Sequence, residues 1–167
     1  MYYFIGIKGS GMSALAIILK NLGYNVIGSD VENHFFTEEG LLENDIKFLT
    51  YDENNIKEDY VIVKGASIKE DNVELIKARE LGLKIYEYNE LVGEISKKFK
   101  TICIAGCHGK TTTTSMMSLV LGKLCGANYL IGDGRGYANP NNEFFLLESC
   151  EYQRHFLAYH PYYTVIT

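Results

Sequence analysis

Gly6-Ile7-Lys8-Gly9-Ser10-Gly11-Met12-Ser13 joins an apolar run, Tyr2 to Ile7, to a helical pattern from Met12 to Leu22 that stops at Gly23. Glycines between a buried strand and an amphipathic helix let the backbone turn sharply and approach a ligand closely. The helix start then offers unpaired N–H groups and a partial positive charge to an anion such as a phosphate. Asn25 to Ser29 reads as the next strand, and Asp30 closes it 24 residues after Gly6, where a nucleotide-binding fold often sets an acid near a ribose or base. The spacing Gly6-x-x-Gly9-x-Gly11 is not the order of the dinucleotide fingerprint, and Lys8 adds a charge to the turn. A nicotinamide-binding redox or sensor module therefore stays open beside a phosphate or sugar-nucleotide site.

Outward from this turn, the alternation continues. Tyr60 to Val63 is a buried strand, Asp71 and Glu74 form a capping pair for a helix that stops at Gly82, Lys84 to Glu87 returns as a strand, and Asn89 caps a helix to Lys98. Strand, turn, helix, strand is the pattern of a parallel sheet covered on both faces, so the chain is α/β. A second series starts at Lys100: strand Thr101 to Ala105, turn Gly106 to Gly109, helix Lys110 to Leu124, then strands at Tyr129 to Ile131, Glu143 to Leu147 and Tyr163 to Thr167. The boundary between two domains is expected near Lys97 to Lys100. The last strand would need further elements to cover its faces, which predicts a piece of a longer enzyme.

Gly106-Cys107-His108-Gly109-Lys110-Thr111-Thr112 is the stronger motif. It lies between an apolar strand and a helix, where a phosphate-binding P-loop belongs. Backbone N–H groups would cradle phosphates, the Lys110 ammonium would reach the outer ones, and the Thr111 hydroxyl would ligate Mg²⁺. Ile104 stands where the longer P-loop pattern has its first glycine. A lysine at the positive end of a helix is unfavourable without an anion, so ATP or GTP is the expected ligand. Mg²⁺ needs a further carboxylate at a neighbouring strand end, and Phe144-Phe145-Leu146-Leu147-Glu148 supplies one. Glu151 follows as a second acid; His155 and His160 belong to no catalytic or metal-binding spacing, and Arg135 and Arg154 are candidates for anion contacts or solvated charges.

Composition narrows the class. The 167 residues are 47% hydrophobic, enough for a packed core, and the net charge of −5 argues against a nucleic-acid-binding surface. No apolar run approaches the roughly 20 residues that cross a bilayer, so no membrane insertion is expected. The opening Met1-Tyr2-Tyr3-Phe4-Ile5 reads as a strand of a cytoplasmic protein rather than a leader. Cys103, Cys107, Cys125 and Cys150 fit no zinc spacing, and Cys103 and Cys125 are expected in the core.

Taken together, the two glycine turns, Gly28-Ser29-Asp30, Gly132-Asp133-Gly134 and Glu148-Ser149-Cys150-Glu151-Tyr152 resemble the Mur ligase family over essentially the whole chain. The resemblance is greatest to the branch that joins L-alanine to UDP-N-acetylmuramate, with a branch that ligates a recycled murein peptide as the near alternative. It implies a Rossmann-like parallel-sheet domain over residues 1–98 that holds the UDP-sugar, and an incomplete P-loop ATPase domain over 99–167. A third domain would bring the amino acid. On this resemblance Gly9, Ser10, Gly11, Met12 and Ser13 would line the diphosphate site, Asp30 would approach the uridine, and Ala66 and Ser67 would lie near the nucleotide. Lys64 and Gly65 replace commoner serines, and Cys107 replaces a frequent threonine. Gly106, Cys107, His108, Gly109, Lys110, Thr111 and Thr112 would bind ATP, Lys110 would be catalytic, and Thr111 and Glu148 would hold magnesium.

Overall fold

The computed structural model describes residues 1–149 and 157–167; Cys150, Glu151, Arg154 and His155 lie outside the described residues. Two five-stranded sheets organise the chain. In the first, β1 (Tyr2–Ile5) is central, with Tyr3, Phe4 and Ile5 fully buried. It pairs in parallel with β2 (Val26–Asp30) and β4 (Val61–Lys64), and β3 (Lys47–Thr50) and β5 (Ile85–Glu87) extend the parallel sheet to the order β3-β2-β1-β4-β5. Apolar residues on both faces of the central strands fit a sheet covered on both sides.

The helix after the first turn, α1 (Ser10–Asn21), buries eight consecutive residues from Met12 to Leu19. Burial all the way round requires packing on more than one side. One side meets the first sheet, and another meets β7 (Ala127–Leu130) and β8 (Gly136–Tyr137) of the second sheet. One hydrophobic cluster accordingly runs from Phe4, Leu15 and Ile18 through to Leu130, Ala138, Phe145 and Leu147. The Asn21 side chain adds a polar tie, accepting the Ala138 N–H at 3.2 Å.

In the second sheet, β6 (Lys100–Ala105) lies between β10 (Tyr163–Ile166) and β9 (Phe144–Glu148), and β7 follows in parallel. Among the described strands only β8 runs antiparallel, paired to β7. Helix α5 (Lys110–Leu124) packs on β6, β7 and β9.

Between Asp30 and Tyr60 the chain forms α2 (Glu38–Glu43), β3 and a 3-10 turn at Glu53–Asn55. None of these is legible in the sequence, because α2 is short and β3 is a largely exposed edge strand without an apolar run. Two helix starts differ from expectation. For α3 (Val73–Glu80) the cap is Asn72, whose side chain accepts from the N–H groups of Glu74 and Leu75 at 3.0 and 3.1 Å. For α4 (Tyr88–Ser96) the cap is Glu87, whose N–H donates to the Glu90 carboxylate at 3.0 Å. Cys103 is buried as expected, but Cys125 is exposed where α5 ends, because the last turn of that helix faces solvent.

Glu74 does not reach back to cap its helix because it is fully buried. It accepts from the Tyr3 hydroxyl at 2.7 Å, the Asn55 amide at 2.9 Å, the Asp52 N–H at 3.2 Å and the Ser29 hydroxyl. Four donors replace the water that a buried carboxylate gives up. The group joins β1, β2, α3 and the 52–55 turn beneath the first site, and burial pushes the Tyr3 hydroxyl pKa well up.

Candidate functional site

The first glycine turn is held from below by Asp30. Its carboxylate accepts the Lys8 N–H at 2.7 Å and the Val31 N–H at 2.8 Å, and the Tyr51 hydroxyl lies at 3.4 Å. Burial, with the Asp30 charge next in weight, pushes the Tyr51 pKa up. Lys8, the unexpected charge of the turn, points inward. Its ammonium contacts Glu38 at 2.8 Å, donates to the Val31 and Asn33 carbonyls at 2.8 and 2.9 Å, and sits 5.0 Å from the Phe48 ring centroid. Hydrogen bonds from Lys8 and then His34 hold the Glu38 carboxyl down at about 2. Lys8 thus anchors the 31–38 segment, while Gly9 is exposed, Gly11 is half-buried and Gly6 is buried at the base of the turn.

The second glycine turn opens α5 through Gly109, whose φ of 76° places the cap residue in the left-handed region. Lys110 folds its ammonium back over the loop and donates to the Gly106 carbonyl at 2.8 Å. The Thr111 hydroxyl donates to Glu148 Oε1 at 2.8 Å, and Glu148 Oε2 accepts the Gly132 N–H at 2.8 Å. Hydroxyl and carboxylate oxygens are hard donors of the kind Mg²⁺ takes, and Mg²⁺ usually keeps waters and substrate phosphates as its other ligands. Thr111 and Glu148 therefore fit that ion, and among the described residues no cluster of three or more His, Cys, Asp or Glu side chains offers a fuller cage.

The first turn and Lys110 of the second motif border one cleft of about 570 Å³. Gly9, Ser10, Gly11 and Met12 lie along it, with Ala66, Ser67 and Tyr88. Lys110, Gly132 and Glu148 reach it from the second sheet. Ser13 is instead fully buried, its hydroxyl donating to the Ser10 carbonyl at 3.0 Å. Asp30 borders an adjoining hollow of about 410 Å³, and Ser67 lines both spaces. Gly106 and Cys107 line a separate hollow of about 370 Å³ with Cys103 and Ser149. His108, Gly109 and Thr112 are exposed. Arg135 is engaged by Asp133, which it holds below the usual carboxylate range, and donates to the Ser115 hydroxyl at 2.7 Å.

The model of the Mur ligase family, catalytic domain, matches residues 1–100, which include the whole first sheet and the first glycine turn. The chain belongs to the Mur ligase family. Among relatives of this Mur ligase chain, the UDP-N-acetylmuramate–L-alanine ligase of Lactiplantibacillus plantarum is 49% identical over 167 residues, all of this chain and 38% of that protein. The chain therefore spans well under half the length of that relative. Among solved structures, the UDP-N-acetylmuramate:L-alanyl-γ-D-glutamyl-meso-diaminopimelate ligase of Neisseria meningitides matches with a TM-score of 0.85 at 28% identity, over 99% of this chain and 59% of that one. The UDP-N-acetylmuramate-alanine ligase of Thermotoga maritima matches with a TM-score of 0.82 at 26% identity, over 99% and 40%. No helix among the described residues is long and apolar enough to cross a membrane.

Sequence reasoning missed four features in and around the candidate site of this Mur ligase chain: the Lys8–Glu38 pair, the Glu74 acceptor, Tyr88 against Gly11, and the tie from Gly132 to Glu148. All four are contacts between elements distant in the chain, and local periodicity carries no signal for them.

Proposed function

We propose that this chain is the part of a cytoplasmic, ATP-dependent, ADP-forming ligase that holds UDP-N-acetylmuramate and the phosphates of ATP, so that L-alanine can be joined to the sugar's lactyl carboxylate. What carries the reading is the single cleft bordered by Gly9–Met12 on one side and by Lys110 and Glu148 on the other. A ligand whose diphosphate sits on the start of α1 can extend its acyl group toward the phosphate loop without leaving that cleft. The adjoining hollow at Asp30 and Ser67 suits the nucleoside end of the same ligand. The division between a sugar-nucleotide domain and an ATPase domain falls, on this reading, between α4 and β6.

In the reaction, the carboxylate of the sugar takes the γ-phosphoryl group of ATP, releasing ADP. The L-alanine amine then attacks the acyl phosphate, loses a proton and expels phosphate. Lys110 would leave the Gly106 carbonyl and place its charge on the transferring group, stabilising the negative charge that develops there. Thr111 and Glu148 would hold Mg²⁺, which supplies charge neutralisation across the phosphates. The start of α1 would fix the sugar nucleotide, and positioning of this kind is most of what phosphoryl transfer asks of a protein.

The test is the full-length protein assayed with ATP, Mg²⁺, UDP-N-acetylmuramate and L-alanine. ADP release that requires both the sugar nucleotide and the amino acid is expected. ADP release independent of the sugar nucleotide overturns the reading. The structural match to a ligase of a preformed peptide favours one second reading, in which a murein peptide replaces L-alanine; turnover with the peptide alone selects it. A nicotinamide module leaves Lys110, Thr111 and Glu148 without a role, and NADH binding in place of UDP binding would be its mark.

A further inference from the structure

We propose that Gly132 is a positioning residue that orients the carboxylate of Glu148 for the divalent cation. The inference rests on the functional reading above and extends it to a residue outside the phosphate loop. The two oxygens of Glu148 have different partners: Oε1 faces the Thr111 hydroxyl and Oε2 accepts the Gly132 N–H, each at 2.8 Å. Rotation about the last bond of a glutamate is otherwise broad and nearly free. The backbone N–H fixes it, so that one oxygen is tied to the scaffold and the other is presented beside Thr111.

Sheet register sets up the arrangement. β7 and β9 pair with Leu130 opposite Leu147, so Gly132 and Glu148 leave adjacent strand ends together. A side chain at 132 would crowd the Glu148 carboxylate. A Cβ there would stand 3.0 Å from Glu148 Oε1 and 3.1 Å from Cδ and Oε2. Gly132 is not among the residues with positive φ, so alanine can adopt its backbone conformation. Gly132→Ala therefore pushes on the carboxylate without straining the main chain. Partners that orient metal ligands in this way typically carry about 10–100-fold in metal affinity.

The experiment titrates Mn²⁺ into the full-length protein with a non-hydrolysable ATP analogue, following the free-ion electron paramagnetic resonance signal. The unsubstituted chain, Glu148→Gln and Gly132→Ala are compared, with thermal unfolding of each. Mn²⁺ binding that Glu148→Gln abolishes establishes the cation site. Gly132→Ala is then expected to weaken Mn²⁺ about 10–100-fold, with binding of the metal-free analogue unchanged. Affinity within twofold of the unsubstituted chain overturns this proposal and leaves the cation site standing. Mn²⁺ binding insensitive to Glu148→Gln sinks the cation site and this proposal together. A measurement on the unsubstituted backbone covers the case of a poorly folded variant. The Gly132 amide proton resonance should move upfield in Glu148→Gln, and an unmoved resonance counts against the tie.

Discussion

Thr111 and Glu148 are 37 positions apart, yet the threonine hydroxyl donates to the carboxylate at 2.8 Å. The pairing of β6 with β9 explains it. Ile104 lies opposite Glu148, and the phosphate loop that follows β6 turns back so that the start of α5 meets the end of β9. In an α/β sheet, ligands gather at these carboxyl ends of parallel strands.

Replacing Lys110 tests the loop directly. On the proposed reading, Lys110→Ala in the full-length protein is expected to lower kcat by roughly 10²–10³-fold, the usual loss for one preorganised donor to transition-state charge. Calorimetric titration should show UDP-N-acetylmuramate affinity unchanged within twofold. Turnover that survives the substitution places the phosphates elsewhere.

Gly11 and Tyr88 form a coupled pair across the cleft, since a Cβ on Gly11 would stand 2.9 Å from the tyrosine ring and hydroxyl. Gly11→Ala should destabilise the chain by about 1–3 kcal/mol through overpacking. In a Tyr88→Ala background most of that penalty should vanish, a non-additivity that urea unfolding of the two single variants and the double variant would measure. Additive effects would mean that the ring does not respond to the added methyl group.

The Glu74 acceptor predicts a stability effect that needs no ligand to be measured. Glu74→Ala leaves the Tyr3 and Ser29 hydroxyls, the Asp52 N–H and the Asn55 amide without their shared partner. The Tyr3 and Ser29 hydroxyls are buried, and because each stranded buried donor costs about 1–3 kcal/mol, the loss should reach ~3 kcal/mol. The urea midpoint reads it directly, with Glu74→Gln expected to fall between the variant and the parent.

Acid should weaken the Lys8–Glu38 clamp in a defined window. Glu38 has its pKa lowered from 4.5 to about 2, so its stabilising effect is complete above the unfolded value and is lost as pH falls from 4.5 toward 2. Glu38→Gln should therefore be less stable than the parent at neutral pH, with the difference narrowing between pH 4.5 and 2. Urea midpoints across that range check the sign, and a gap that stays constant would remove Glu38 from the acid response.

The sequence by itself determined the alternation of strands and helices and the two glycine turns at helix starts, and it picked out Lys110, Thr111 and Glu148 as candidates. These are local: periodicity, chain turns and helix ends depend on residues a few positions apart. The segment from Asp30 to Tyr60 was not legible, because short, exposed elements carry little apolar pattern. Only the tertiary structure decided that α1 serves both sheets, that Lys8 faces inward, that Glu74 is buried rather than capping, and that Gly132 meets Glu148. The reason is physical. A buried charge or a close backbone approach is tolerated only where distant segments supply the partner or the space, and that pairing exists only once the sheets have formed.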